Sequence, residues 1–109
     1  GKFGKILKQL DLSDEQKTKL KAFKKENRET NKADKGVIKE LHKSLNEGFA
    51  ANVSDGELKK IHDQIKSMRN KKMDARFNRM INIRSVLNDD QKKKFFELHK
   101  SMRKNRRAN

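Results

Sequence analysis

Cysteine, proline, tryptophan and tyrosine are absent from the 109 residues, and glycine occurs only five times. Without cysteine there is no disulfide, no thiolate zinc site and no thiol nucleophile. Without proline nothing removes a helical i→i−4 hydrogen bond, so long uninterrupted helices are open to the chain. The loss of tryptophan and tyrosine removes two of the side chains that stack on unpaired bases. β-Branched residues are few, which leaves strands poorly supported. No apolar run of about 18 residues occurs, so no stretch reads as a transmembrane helix. No export signal is visible either; the chain starts Gly1-Lys2-Phe3, without Met, and reads as a processed or trimmed product.

What is present is charge. Asp, Glu, Lys and Arg make up 41% of the chain and hydrophobic residues 31%, against roughly 45–50% apolar in an ordinary globular domain. A thick core is excluded, which leaves amphipathic helices with thin apolar stripes, or disorder. Thirty Lys and Arg against 15 Asp and Glu give a formal charge of +15. Such a surface attracts nucleic acid, anionic lipid or acidic polypeptide. The excess is densest after Gln91, where Lys92, Lys93, Lys94, Lys100, Arg103, Lys104, Arg106 and Arg107 face one acid, Glu97.

Periodicity decides for helices. Phe3, Ile6, Leu7 and Leu10 have helical spacing within a short leading segment, 2–10. Ser13 is an N-cap with Gln16 at N3, a capping box, and Asp14 and Glu15 suit the positive end of the helix dipole. The stripe continues through Leu20 and Phe23. Asn31 or Asp34 is expected to cap a further helix whose stripe is Val37/Ile38, Leu41, Leu45 and Phe49, with Gly48 weakening its last turn. A sharper break at 52–54 precedes a second box, Ser54 to Glu57. It opens a predicted helix over 55–86, about 48 Å long at roughly 1.5 Å per residue. Leu58, Ile61, Ile65, Met68, Met73, Phe77 and Met80/Ile81 form its stripe. The five-residue step from Met68 to Met73 predicts a kink or a change of packing partner. Asn88 caps a last helix carrying Phe95, Phe96, Leu98 and Met102, and the basic tail from Arg103 to Asn109 is expected to fray. The fold class is all-α: one domain over 1–109, four main helices, a long third helix.

Two of the starts are near copies about 75 residues apart. Leu12-Ser13-Asp14-Glu15-Gln16 is followed by three polar residues and Leu20; Leu87-Asn88-Asp89-Asp90-Gln91 is followed by three lysines and Phe95. The caps, acids and glutamines have local explanations. The leading leucines do not complete a hydrophobic staple, because N4 is Lys17 in one copy and Lys92 in the other. The pair resembles the repeated Leu-Thr-x-x-Gln motif of the Spy/CpxP family, and the resemblance covers nearly the whole chain. Ser13 and Asn88 stand where the family usually has Thr; both are competent caps.

The resemblance implies a periplasmic protein without catalytic activity or cofactor, paired into an elongated, cradle-like antiparallel homodimer. Spy-like members hold unfolded or partly folded proteins without nucleotide, on a concave face mixing basic and apolar residues. Carried onto this chain, that face falls on Leu7, Leu10, Leu12, Leu20, Lys21, Lys24, Lys39, Leu41, Met73, Arg76 and Phe77. CpxP-like members damp an envelope-stress sensor kinase, and more distant relatives bind divalent metals. The residues agree with such a function on two counts. A helix over 55–86 is too long for one thin core to cover, so pairing along it is expected. Soft methionines and dispersed cations make an adaptable surface that captures acidic clients quickly.

Other functions have thinner support. His42, His62 and His99 form no His-x-x-x-His or His-x-x-His pair; His42, His99 and Met102 are the weak metal candidates. Adjacent acids such as Asp89 and Asp90 point about 100° apart on a helix and form no shared-proton dyad. No nucleophile elbow or phosphate loop occurs, so no enzyme is expected. A basic helix over 92–107 could track phosphates, but no recognition pattern accompanies it, so no specific nucleic acid is expected. The basic amphipathic segment 2–10 could lie on a membrane surface but reads better as packed on its own domain. The sequence therefore predicts a client-holding chaperone, with a regulatory or metal-sensing adaptor of the same fold as the alternative.

Overall fold

Side-chain caps set where three of the four helices begin. Gln16 N–H donates to Ser13 Oγ at 3.1 Å and Ser13 N–H to Gln16 Oε1 at 2.9 Å. The second copy repeats this: Gln91 N–H donates to Asn88 Oδ1 at 2.9 Å and Asn88 N–H to Gln91 Oε1 at 3.0 Å. At Ser54 only half a box forms. Glu57 N–H donates to Ser54 Oγ at 3.2 Å, and the return bond is absent among the described residues.

The computed structural model describes residues 2–108, with side chains from 3 to 104. Helix α1 spans Lys2–Leu7, α2 Asp14–Ala50, α3 Asp55–Val86 and α4 Asp89–Ala108, and no strand occurs among the described residues. The fold is all-α, as the composition requires. The tail expected to fray belongs to α4 as far as Ala108, and Asn109 lies outside the described residues.

One expected boundary is missing. No helix starts at Asn31 or Asp34; α2 runs unbroken for 37 residues, longer than the 32 of α3. Asn27, Asn31 and Asp34 are the polar members of its inward stripe. They continue the i, i+4, i+7 spacing from Phe23 to Ile38, Leu41, Leu45 and Gly48, and all of these are buried or half-buried. Polar side chains on a buried face look like caps when only the sequence is read.

Two compact units divide the chain. In the first, Gly1–Ala22 with Ile81–Asn109, Ile6 and Phe95 are wholly buried, with Leu10, Ile83 and Leu87 around them. Phe3, Leu7, Leu12, Leu20, Phe96, Leu98 and Met102 are half-buried against that cluster. Phe3 and Phe95 stand with ring centroids 6.0 Å apart, and Phe96 meets Phe95 edge-on at 5.1 Å. The α1 spacing read from sequence thus docks on α4.

In the second unit, Phe23–Met80, α2 and α3 run back along each other. Near the turn a Cβ on buried Gly48 would lie 2.8 Å from Leu58 Cδ2. Gly48 therefore permits close approach of the helices rather than merely weakening the last turn. Farther from the turn, buried Asp34 accepts from Lys71 Nζ at 3.0 Å. Leu58, Ile61, Ile65 and Met68 face inward on α3, and Ile65 is only 2% exposed. Beyond Met68 the inward positions pass to Ala75 and Arg79, while Met73 and Phe77 turn outward. The five-residue step thus marks where the apolar residues leave the buried face, which itself continues from Met68 to Ala75 and Arg79 along an unbroken α-helix. Phe49, expected in the inward stripe of α2, is also exposed.

Candidate functional site

The two motif glutamines meet. Each side-chain oxygen closes its own capping box, and each side-chain nitrogen crosses to the other motif. Gln16 Nε2 donates to the Val86 carbonyl at 2.9 Å and to Gln91 Oε1 at 2.7 Å. Gln91 Nε2 donates to the Asp11 carbonyl at 2.8 Å and to Gln16 Oε1 at 3.2 Å. Asp11 and Val86 immediately precede the motif leucines Leu12 and Leu87, so the bonding pattern is two-fold. Both amides use both donor hydrogens and accept twice on oxygen, which saturates them.

This arrangement accounts for the residue type. A capping box accepts Glu or Gln at N3. Only the crossing bonds need an amide, since a carboxylate has no hydrogen to donate and Asn is a methylene shorter. It also answers the incomplete staple. Leu87 is buried in the core of the first unit and Leu12 packs against that core, so neither depends on N4. The crossing was the feature that motif reading missed; its only trace in the sequence was Gln rather than Glu in both copies. Ser13, Asn88, Gln16 and Gln91 together form a clasp that fastens the loop before α2 to the α3–α4 junction.

The residues implied for client binding fall into three environments. Leu7, Leu12 and Leu20 are half-buried on the core of the first unit, and Leu10 lies within it at 7% exposure. Leu41 is half-buried in the second unit. Met73 and Phe77, one turn apart on α3, are 67% and 61% exposed, with Arg76 exposed beside them. Lys21, Lys24 and Lys39 are exposed on α2. None of these four cations enters an ion pair among the described residues; the pairs formed are Glu15–Lys19, Asp34–Lys71 and Asp89–Lys92. Val37 and Phe49 add exposed apolar surface that the sequence reading had assigned to an inward stripe.

Two of the three metal candidates, His99 and Met102, lie in or against the core of the first unit. His99 is buried and stacks on Phe3 and Phe95, with centroids 5.8 and 6.5 Å away. Met102 packs on the same core, and His42 is half-buried on α2. Among the described residues no group of three or more His, Cys, Asp or Glu is placed to hold a metal ion. No described helix is long and apolar enough to cross a membrane.

No curated protein and no solved structure matches the chain. A family description does, that of an LTXXQ motif family protein, over residues 1–99. That span contains both motifs, and the family is helical, non-enzymatic and typically periplasmic. The chain belongs to the LTXXQ motif family, whose domain is of the Spy/CpxP type.

Proposed function

We propose that the chain is an ATP-independent periplasmic chaperone, working as a cradle-like homodimer, that holds unfolded or partly folded proteins and suppresses their aggregation. The observation that carries this reading is the outward face of α3. Met73 and Phe77 are largely exposed, and Arg76 lies between them without an ion pair. Isolated exposed apolar residues are ordinary. A methionine and a phenylalanine one turn apart, interleaved with an unpaired cation, suit reversible contact with a partner that has no fixed shape.

The physical division of labour follows. The net charge of +15 speeds encounter with acidic segments. Apolar contact at Met73 and Phe77 then slows escape. Leu7, Leu12 and Leu20 add partly exposed surface in the first unit, where Lys21 is exposed, and Leu41 adds it in the second, where Lys24 and Lys39 are exposed. Leu10, already buried, supports its neighbours rather than touching clients. Neither nucleotide nor a covalent step is involved.

The test is dilution of a denatured, unrelated protein into buffer with and without this chain, lacking ATP, with salt stepped from about 50 to 300 mM. Suppression of light scattering that weakens with salt yet survives is expected. No suppression at any salt overturns the chaperone reading. The unpaired cations also suit a second reading, an adaptor that docks on the periplasmic domain of a sensor kinase. Saturable, salt-sensitive binding to one folded sensor domain without aggregation suppression would select it.

A further inference from the structure

A second basic surface lies in the first unit, and none of the residues implied for client binding lines it. An open groove of about 440 Å³ is lined by Arg84 at the end of α3 and by Lys92, Lys93, Phe96, Glu97 and Lys100 on α4. Lys92, Lys93, Phe96 and Lys100 fall on one helical face, at i, i+1, i+4 and i+8. That face adjoins the one on which Phe95 and His99 are buried, with Lys92 and Phe96 half-buried at the boundary. Arg84, Lys93 and Lys100 are exposed and hold no ion pair among the described residues. Lys92 reaches only Asp89, a fully exposed acid 3.7 Å away. Four cations against one carboxylate, around a half-buried phenylalanine, form an anion-attracting groove with an apolar floor.

We propose that this groove binds an extended acidic peptide segment carrying one large apolar side chain. The apolar side chain lies on Phe96, and carboxylates on either side of it meet Arg84, Lys92, Lys93 and Lys100. From Lys92 to Lys100 the helix advances about 12 Å, the length of about four residues of extended chain. The groove thus selects acids spaced around an apolar centre. Glu97 in the lining disfavours a polymer with a phosphate at every step. The inference rests on the reading of this chain as a holder of polypeptides. It adds a site with its own sequence preference.

The experiment uses the full chain and a fluorescein-labelled peptide of about eight residues, extended enough to fill the groove, with acids flanking one phenylalanine. Controls are the peptide with its acids converted to amides and the peptide with alanine for phenylalanine. Fluorescence anisotropy is read for wild type and for the Lys93→Glu/Lys100→Glu variant, and aggregation suppression is measured on the same samples. Both substitutions are at exposed helical positions, and circular dichroism checks that the fold persists. The expected result is binding that weakens at least about tenfold in the variant and with the amide peptide, and severalfold without the phenylalanine, while suppression persists. Equal binding to wild type and variant overturns the site. Suppression without peptide binding overturns the site and leaves the chaperone reading standing. A wild-type chain that shows neither peptide binding nor suppression overturns both. If a single-stranded oligonucleotide displaces the peptide at lower concentration and is itself lost in the variant, the occupant is a phosphate polymer and the peptide proposal fails.

Discussion

At the scale of single residues, the clasp makes a claim that local capping does not. Removing the Gln91 side chain deletes one cap bond, the bond to the Asp11 carbonyl and both bonds to Gln16. At about 0.5–1.5 kcal/mol net for each bond, partly compensated by water, Gln91→Ala is expected to destabilise by about 2–3 kcal/mol in urea unfolding. Gln91→Glu is the sharper probe. It keeps the capping-box acceptor and loses the crossing donors, so it should still cost more than about 1 kcal/mol. A Gln91→Glu protein as stable as wild type would mean that the crossing bonds contribute nothing. The Gln16→Ala/Gln91→Ala double variant should be less damaged than the sum of the singles, with a coupling of about 1–2 kcal/mol.

The buried acid of α2 makes a second residue-scale case. The Asp34 side chain is 11% exposed and its partner Lys71 is 57% exposed. Solvent screening discounts the pair, so Lys71→Ala is expected to cost only about 1 kcal/mol, chiefly by leaving the carboxylate without its cation. Asp34→Leu removes the charge and extends the apolar stripe. It should be neutral or stabilising, with thermal melts of the two variants giving the order.

At the scale of elements, the helices show what sequence pattern does and does not carry. The ends of α3 at Asp55 and Val86 were legible, because Ser54 starts the helix and the second motif stops it. So were the start of α4 at Asp89 and the docking face of α1. The length of α2 was not, because Asn31 and Asp34 are caps by residue type and inward-facing stripe members by position. The Asp34 partner lies 37 positions away on α3, and only the folded chain supplies it. The clasp was half-legible for the same reason: each box is local, while the crossing joins residues 75 apart. Gly36 tests the continuity of α2. It lies inside the helix with nothing within 4 Å of a would-be Cβ. Gly36→Ala should therefore raise stability by about 1 kcal/mol, the ordinary helical gain of alanine over glycine. A loss instead would mean that this position needs the freedom of a hinge.

At the scale of the whole molecule, a surface for clients must be separable from the core that maintains the fold, and two serine substitutions separate them. Leu10 is 7% exposed in the core of the first unit, and Phe77 is 61% exposed on α3. Leu10→Ser removes a buried side chain and introduces a hydroxyl, so it should cost about 2–4 kcal/mol. Any loss of aggregation suppression should then follow the unfolded fraction and recover on cooling or with a stabilising osmolyte. Phe77→Ser removes no buried contact and should stay within about 0.5 kcal/mol of wild type in stability. It should nevertheless weaken suppression at every salt concentration, with the sedimentation profile unchanged. If the sedimenting species instead became smaller in parallel with the loss of suppression, Phe77 would be part of the contact between copies, and the client-facing role would pass to the residues on α2. An unchanged profile with unchanged suppression would remove Phe77 from both roles. The salt dependence then isolates the other half of the surface: cations that steer clients lose their effect between about 50 and 300 mM, whereas the apolar contact at Phe77 does not.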